Sequence, residues 1–127
     1  MVTVVLDSSA VLAYLWSEPD SDRIGEFIRE GRISSVNVVE VLSKLIDHGM
    51  AGEAANLLFA SLNLSAIAFD ADQARLAGDL RSHTRRYGLS LGDRACLALA
   101  IQEKARVITA DRIWVELDLG IEITVIR

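Results

Sequence analysis

Five short stretches with strand character, each separated from the next by a stretch with helical character, constrain this chain more than any other feature. The strands are expected at residues 2–6, 32–34, 64–69, 106–109 and 122–126. The helices are expected at 8–16, 21–30, 36–47, 51–62, 70–87 and 90–104, with a short one at 111–117. Breaks fall where turn chemistry puts them, at Glu18-Pro19-Asp20-Ser21, His48-Gly49 and Tyr87-Gly88. Asp70 with Gln73 reads as a capping box opening one helix, and Ser90 opens the next. Strands that alternate with helices pair in parallel, because each crossover returns the chain to the same end of the sheet. The fold class is therefore α/β, with a mainly parallel sheet of about four to five strands and helices on both faces.

The 127 residues, 51% of them hydrophobic and only one a proline, are read as one domain, 1–127, long enough for a true core. No apolar run approaches the roughly 18 residues of a membrane span. The first apolar stretch is too short for a signal peptide and meets acidic Asp7 at once. The lone cysteine, Cys96, leaves no intramolecular disulfide framework and no zinc site built on several thiolates. Its apolar neighbours Ala95, Leu97, Ala98 and Leu99 make it a small buried hydrophobe. A reducing cytoplasm is the expected home.

In a parallel α/β sheet, ligands bind beyond the carboxyl ends of the strands. Two acids are expected on that edge, Asp7 directly after the first strand and Asp111 after the fourth. Asp93 opens the nearly all-apolar helix 90–104, and Glu40 lies on the helix 36–47. A carboxylate cluster without His or Cys suits a hard cation, Mg²⁺ or Mn²⁺, whose commonest use is chemistry on phosphate. That points to a nuclease. Each acid also has a plainer reading. Asp7 and Asp111 would serve as helix N-caps, and Ser90-x-x-Asp93 has capping-box spacing. Yet Ser8 and Ser9 offer caps that bury no charge at a strand end. Asp93 continues into an inward stripe of Cys96, Leu97 and Ala100. Glu40 shares its face with Val36, Ser43, Lys44 and Asp47, opposite Val38, Val41, Leu42, Leu45 and Ile46. For this residue the pattern alone favours a solvated face with a Glu40–Lys44 pair.

Other chemistries fit less well. No Gly-rich loop follows the first strand, so Asp7-Ser8-Ser9-Ala10 cannot cradle a pyrophosphate. His48 and His83 lack metal-ligand spacing, and His83, near Leu76, Leu80 and Tyr87, reads as a packed histidine. A receiver domain would want a lysine near the end of the last strand, and only Lys44 and Lys104 exist; a two-aspartate phosphatase would want an acid where Ser9 stands. The net charge of −5 argues weakly against a nucleic-acid partner, because the four acids carry −4 of it. Arg75, Arg81, Arg85, Arg86 and Arg94 gather between 75 and 94, where Asp79 and Asp93 are the only acids. Phosphate binding by this helix face competes with a solvated face holding an Arg75–Asp79 pair. Arg94, beside Asp93, is expected to touch the substrate or a neighbouring carboxylate, and Trp16 and Trp114 to be core.

With these residues in hand, the chain resembles the PIN-domain family, and within it the VapC-type toxins of toxin–antitoxin pairs. The matching segments are Val4-Val5-Leu6-Asp7-Ser8-Ser9-Ala10, Val38-Val39-Glu40-Val41, the long stretch from Leu89 to Ala100, and Val107-Ile108-Thr109-Ala110-Asp111-Arg112-Ile113-Trp114. The resemblance implies a three-layer α/β/α domain and Mg²⁺-dependent endoribonuclease activity, with Mn²⁺ an alternative ion. In that account metal-activated water attacks a phosphodiester in line, leaving a 5′-phosphate and a 3′-hydroxyl. It further implies inhibition by a small VapB-type antitoxin. Carried over by position, Asp7 and Asp93 are the principal metal ligands, and Glu40 binds or orients metal-bound water. Asp111 completes the acidic pocket, and Ser8 and Thr109 are hydroxyls that fix these groups.

Two alternatives stand beside the toxin reading: a PIN nuclease of RNA processing or decay, and a non-catalytic module whose acidic pocket docks a basic peptide. The helices from 36 to 62 also carry Val38, Val41, Leu42, Leu45, Ile46, Leu57, Leu58, Phe59 and Leu62, more apolar surface than one sheet face requires. A symmetric homodimer through this region is expected, as the resemblance also suggests.

Overall fold

The structure, a computed structural model, describes residues 3–127. Val2, part of the first expected strand, lies outside the described residues. The strands are β1 (Val4–Leu6), β2 (Arg32–Ser34), β3 (Ser65–Ile67), β4 (Arg106–Thr109) and β5 (Ile123–Val125). The helices are α1 (Ser8–Leu15), α2 (Gly25–Ile28), α3 (Ser35–Asp47), α4 (Gly52–Ala60), α5 (Ala71–Thr84) and α6 (Leu91–Glu103). All five strands pair in parallel, in the order β3-β2-β1-β4-β5. The central pair sets Val4 against Arg106, Val5 against Val107 and Leu6 against Ile108.

Period-two alternation splits the core in two. Leu6 and Ile108 face one cluster, with Ala10, Val11, Ile33, Val41 and Leu45 beneath α1, α3 and α4. Val5 and Val107 face the other, with Leu80, Leu97, Leu99 and Trp114 beneath α5 and α6. Residues Ala95 to Ala100 of α6 are all fully buried, so this helix is apolar because it is enclosed all round. Among the described residues, no helix is long and apolar enough to cross a membrane.

Several expected elements are shorter or tighter. The helix expected over 21–30 is a 3₁₀ turn, Ser21–Ile24, followed by the four-residue α2. Beyond it the chain passes Leu6 closely at Gly31, where a Cβ would lie 2.4 Å from Leu6 Cδ1. The helix expected to residue 87 ends at Thr84, whose hydroxyl donates back to Leu80 O at 2.8 Å. A 3₁₀ turn, Arg85–Tyr87, then closes on Gly88 at φ 67°. The segment after Asp111 is likewise 3₁₀, Arg112–Glu116. Asp70 caps α5 through Gln73 N, but the Gln73 side chain donates to Gln102 Oε1 instead of completing a capping box. Trp114 is buried as expected, whereas Trp16 is 39% exposed and packs its ring against His48. His83 is exposed rather than packed.

Candidate active site

Because every strand runs the same way, the residues that follow them share one edge. Asp7 follows β1, α3 starts directly after β2, and Asp111 stands two residues beyond β4. Asp93 lies in the first turn of α6. The fold thus brings acids from four separate segments together, and the charges of Glu40 and Asp111 both act on Asp93, as that of Asp93 acts on Asp7.

Asp7 is the innermost, at 3% exposure. Its carboxylate accepts from Ala10 N (2.9 Å), from Ser9 Oγ (2.8 and 2.9 Å to the two oxygens) and from Thr109 Oγ1 (2.6 Å). Both hydroxyls are aimed by the backbone: Ala110 N donates to Ser9 Oγ and Asp111 N to Thr109 Oγ1, which turns each hydroxyl proton toward Asp7. Burial nevertheless pushes the Asp7 carboxyl up to about 7, against the hydrogen bonds of Thr109, Ala10 and Ser9, and the Asp93 charge adds to the rise. Asp93 is raised as well, chiefly by burial and then by Glu40 and Asp111, while its bonds with Ser90 oppose the rise. Ser90 and Asp93 do form a capping box, so the plain reading of that spacing is true beside any functional one. Asp7 and Asp111 also cap the helical turns that follow them.

Glu40 corrects its pattern-based reading. It makes no pair with Lys44; Oε1 accepts from Ser8 Oγ at 2.9 Å and from Asn37 Nδ2 at 2.7 Å. The same Asn37 amide reaches Gly92 O at 3.0 Å, joining α3 to the start of α6. Ser9, Asn37 and Gly92 were not expected here. An asparagine three residues before a glutamate on one helix face is the only local signal, and the contact of Asn37 with Gly92 spans 55 residues of sequence.

The basic residues do not neutralise the pocket. Among the described residues, no ion pair involves Asp7, Glu40, Asp93 or Asp111. Arg94 meets a carbonyl rather than a carboxylate, its Nη1 donating to Ala77 O at 3.1 Å. Arg75 pairs with Asp72, not Asp79. Arg81, Arg85 and Arg86 are exposed, and Arg86 lies over the Tyr87 ring. Cys96 lies behind the acids; burial first, then the charges of Asp7, Asp93 and Glu40, push its thiol well up, so it stays protonated.

Among the described residues, no three Asp, Glu, His or Cys side chains form a ready-made metal cage. The donor chemistry still fits one kind of ion. The four carboxylates and the Ser8, Ser9 and Thr109 hydroxyls bonded to them all offer oxygen, and Mg²⁺ keeps several waters while binding one or two carboxylates, so it does not need a cage. The Asn37 Oδ1 atom, buried and without a partner, adds a further oxygen near the acids.

Residues 4–119 match the PIN-domain family model, and the chain belongs to that family. No curated protein matches it in sequence. In structure it is similar to a chain of the DNA-bound VapBC from Salmonella typhimurium, with 20% identity, a TM-score of 0.74 and 98% of each chain covered. VapBC2 from Rickettsia felis, bound to a promoter DNA fragment, gives 18% identity and a TM-score of 0.75 over 96% of this chain and 97% of that one. VapC20 of Mycobacterium tuberculosis, described as a sarcin-ricin loop cleaving toxin, gives 15% identity and 0.73 over 94% and 99%. Likeness at these identities speaks to the fold.

Proposed function

We propose that this PIN domain is a divalent-metal-dependent endoribonuclease and the toxin of a VapBC-type toxin–antitoxin pair. One observation carries the reading: four acids from four segments share the carboxyl edge of the sheet and, among the described residues, no Lys or Arg is paired to them. Acids that repel one another in a half-buried pocket need a cation that the chain itself does not supply. Asp7 and Asp93 would hold it, with Asp111 completing the pocket. A bound Mg²⁺ or Mn²⁺ would supply Lewis acidity toward the phosphate and an activated water near neutral pH. Ser9 and Thr109 lock the Asp7 carboxylate by the bonds described above, and Ser8 with Asn37 does the same for Glu40, which would orient the attacking water. Arg81, Arg85 and Arg86 offer exposed guanidinium groups for the RNA backbone, and Arg94 is the less available of the four because Ala77 O holds it.

The toxin assignment rests on the VapBC-type neighbours and on a groove beside Glu40. That groove, about 390 Å³, is lined by Leu12 and Val39 as well as by Ser8, Ser9, Ser43, Lys44 and Asp47, and it would take the tail of a small antitoxin. The test is cleavage of total RNA by the purified protein with Mg²⁺, with Mn²⁺ and with a chelator. We expect metal-dependent cleavage with 5′-phosphate products, lost by at least about a hundredfold in Asp7→Asn and Asp93→Asn that remain folded. Full activity in either variant would remove the site assignment. Cleavage without metal would remove the mechanism, and basic-peptide binding without cleavage would favour the docking module.

A further inference from the structure

The first turn of α6 holds a glycine that its backbone does not require. Gly92 lies in right-handed helix, not among the glycines of positive φ, and it is buried. An alanine there would ordinarily stabilise a helix by up to about 1 kcal/mol. The space explains the glycine. A Cβ on Gly92 would fall 2.1 Å from Glu40 Oε2 and 2.5 Å from Glu40 Oε1, so the carboxylate rests where a side chain would begin. Asn37 closes the other side: at 1% exposure its amide donates both to Glu40 Oε1 and to Gly92 O, while its own Oδ1 has no partner. Leaving a buried oxygen unpaired is unfavourable, so the amide is oriented by what it donates to.

We propose that Gly92 and Asn37 form the seat of Glu40, Gly92 by giving the carboxylate room and Asn37 by fixing its rotation and tying it to the helix that carries Asp93. Both are positioning residues, acting through Glu40. The seat itself is independent of the nuclease reading; only its catalytic consequence rests on that reading. With Oε1 engaged by Ser8 and Asn37, the opposite oxygen, Oε2, accepts no hydrogen bond from the described residues and is the one left for water or a cation.

Two readouts test this. The first is a thermal-melt cycle of the wild type, Gly92→Ala, Glu40→Ala and the double variant, without metal. We expect Gly92→Ala to lower the melting temperature by about 4 °C or more in the wild type and to raise it in the Glu40→Ala background, where the obstruction is gone. An equal change in both backgrounds overturns the seat. Should Gly92→Ala fail to fold, folding of the double variant supports the proposal and its failure overturns it. The second readout is kinetic. Gly92→Ala and Asn37→Ala should each reduce kcat on RNA at least about tenfold with KM within about twofold. Gly78→Ala, on an exposed helix face with nothing within 4 Å of its added Cβ, should leave both constants unchanged. Unchanged kcat in both seat variants overturns the positioning role. A wild type that cuts no RNA with either metal defeats the nuclease reading instead, and the melt cycle still decides the seat.

Discussion

Asp7 is met by three donors and still holds its proton to about pH 7, which makes it the residue where charge and stability oppose each other most directly. A carboxyl raised in the folded state binds its proton more tightly there than in the unfolded chain, whose value is near 3.8. Its stabilising contribution is therefore complete below about pH 4 and is lost as pH rises through about 7. Three pH units of difference correspond to roughly 4 kcal/mol at full ionisation. In the absence of metal, Asp7→Asn should melt above the wild type at pH 8, and the gap should close toward pH 5. Adding Mg²⁺ at pH 8 should raise the melting temperature of the wild type and leave that of Asp7→Asn nearly unchanged. A wild type that melts higher than Asp7→Asn at pH 8 without metal would mean that the buried charge is already compensated. Thr109→Val is a second probe of the same carboxyl. It removes the 2.6 Å bond to Asp7 Oδ2 and leaves Asp111 N without its acceptor, so its stability should fall more steeply between pH 5 and 8 than that of the wild type.

Helix α6 shows how one element can serve stability and chemistry together. Ser90 Oγ accepts from Asp93 N at 3.1 Å, and Asp93 Oδ2 accepts from Ser90 N at 2.9 Å. Ser90→Ala removes only the first bond and should lower stability by about 1 kcal/mol in urea melts. Nuclease activity should fall only a few fold, because the backbone of residue 90 still orients the Asp93 carboxylate. A loss as large as that of Asp93→Asn would mean that the serine hydroxyl itself takes part in the site. This local bond pattern was legible in the sequence, as were β2 at Arg32–Ser34, β4 at Arg106–Thr109 and the cap of α5 at Asp70, since each depends on residues within a turn of one another. What depended on distant contacts was not legible. Helical spacing pairs Glu40 with Lys44, but its carboxylate is held by Ser8 on α1 and by Asn37 on its own helix, and it packs against Gly92 of α6. The close approach of Gly31 to Leu6 leaves no trace in the spacing along 21–30. Trp16 reads as core in the sequence, yet it stands at the C-terminal cap of α1, 39% exposed, with its ring against His48.

On the scale of the whole molecule, one parallel sheet divides two cores and leaves its acidic edge open between α3 and α6. Most of the apolar surface that prompted the expectation of a dimer is accounted for, because Val38, Leu42, Leu58, Phe59 and Leu62 pack against the core. Ile46 and Leu57 of that set remain exposed, at 47% and 67%, and so is Val39 on α3, at 62%. A homodimer through α3 and α4 would cover residues of this set, so light scattering at micromolar concentration should give twice the chain mass for the wild type and the single mass for Leu57→Glu. A wild-type monomer removes the dimer. Val39 also has a second use, since it lines the groove that carries Glu40 at its edge. An antitoxin tail seated there would meet the apolar walls of Leu12 and Val39 and then an uncompensated cluster of carboxylates. An arginine at that point would form charge-assisted, bidentate bonds with them and hinder a metal ion from entering. Exposed ion pairs alone contribute little, so most of the affinity should come from hydrophobic residues flanking the arginine. Replacing that basic residue by Ala in the purified partner should restore RNA cleavage at least about tenfold while weakening the complex less than that. Val39→Glu in this chain should do the reverse, reducing affinity for the partner strongly while leaving cleavage by the free protein unchanged. If the arginine replacement leaves inhibition intact, the antitoxin acts by covering the path of the RNA, and the acidic pocket is not what it reads.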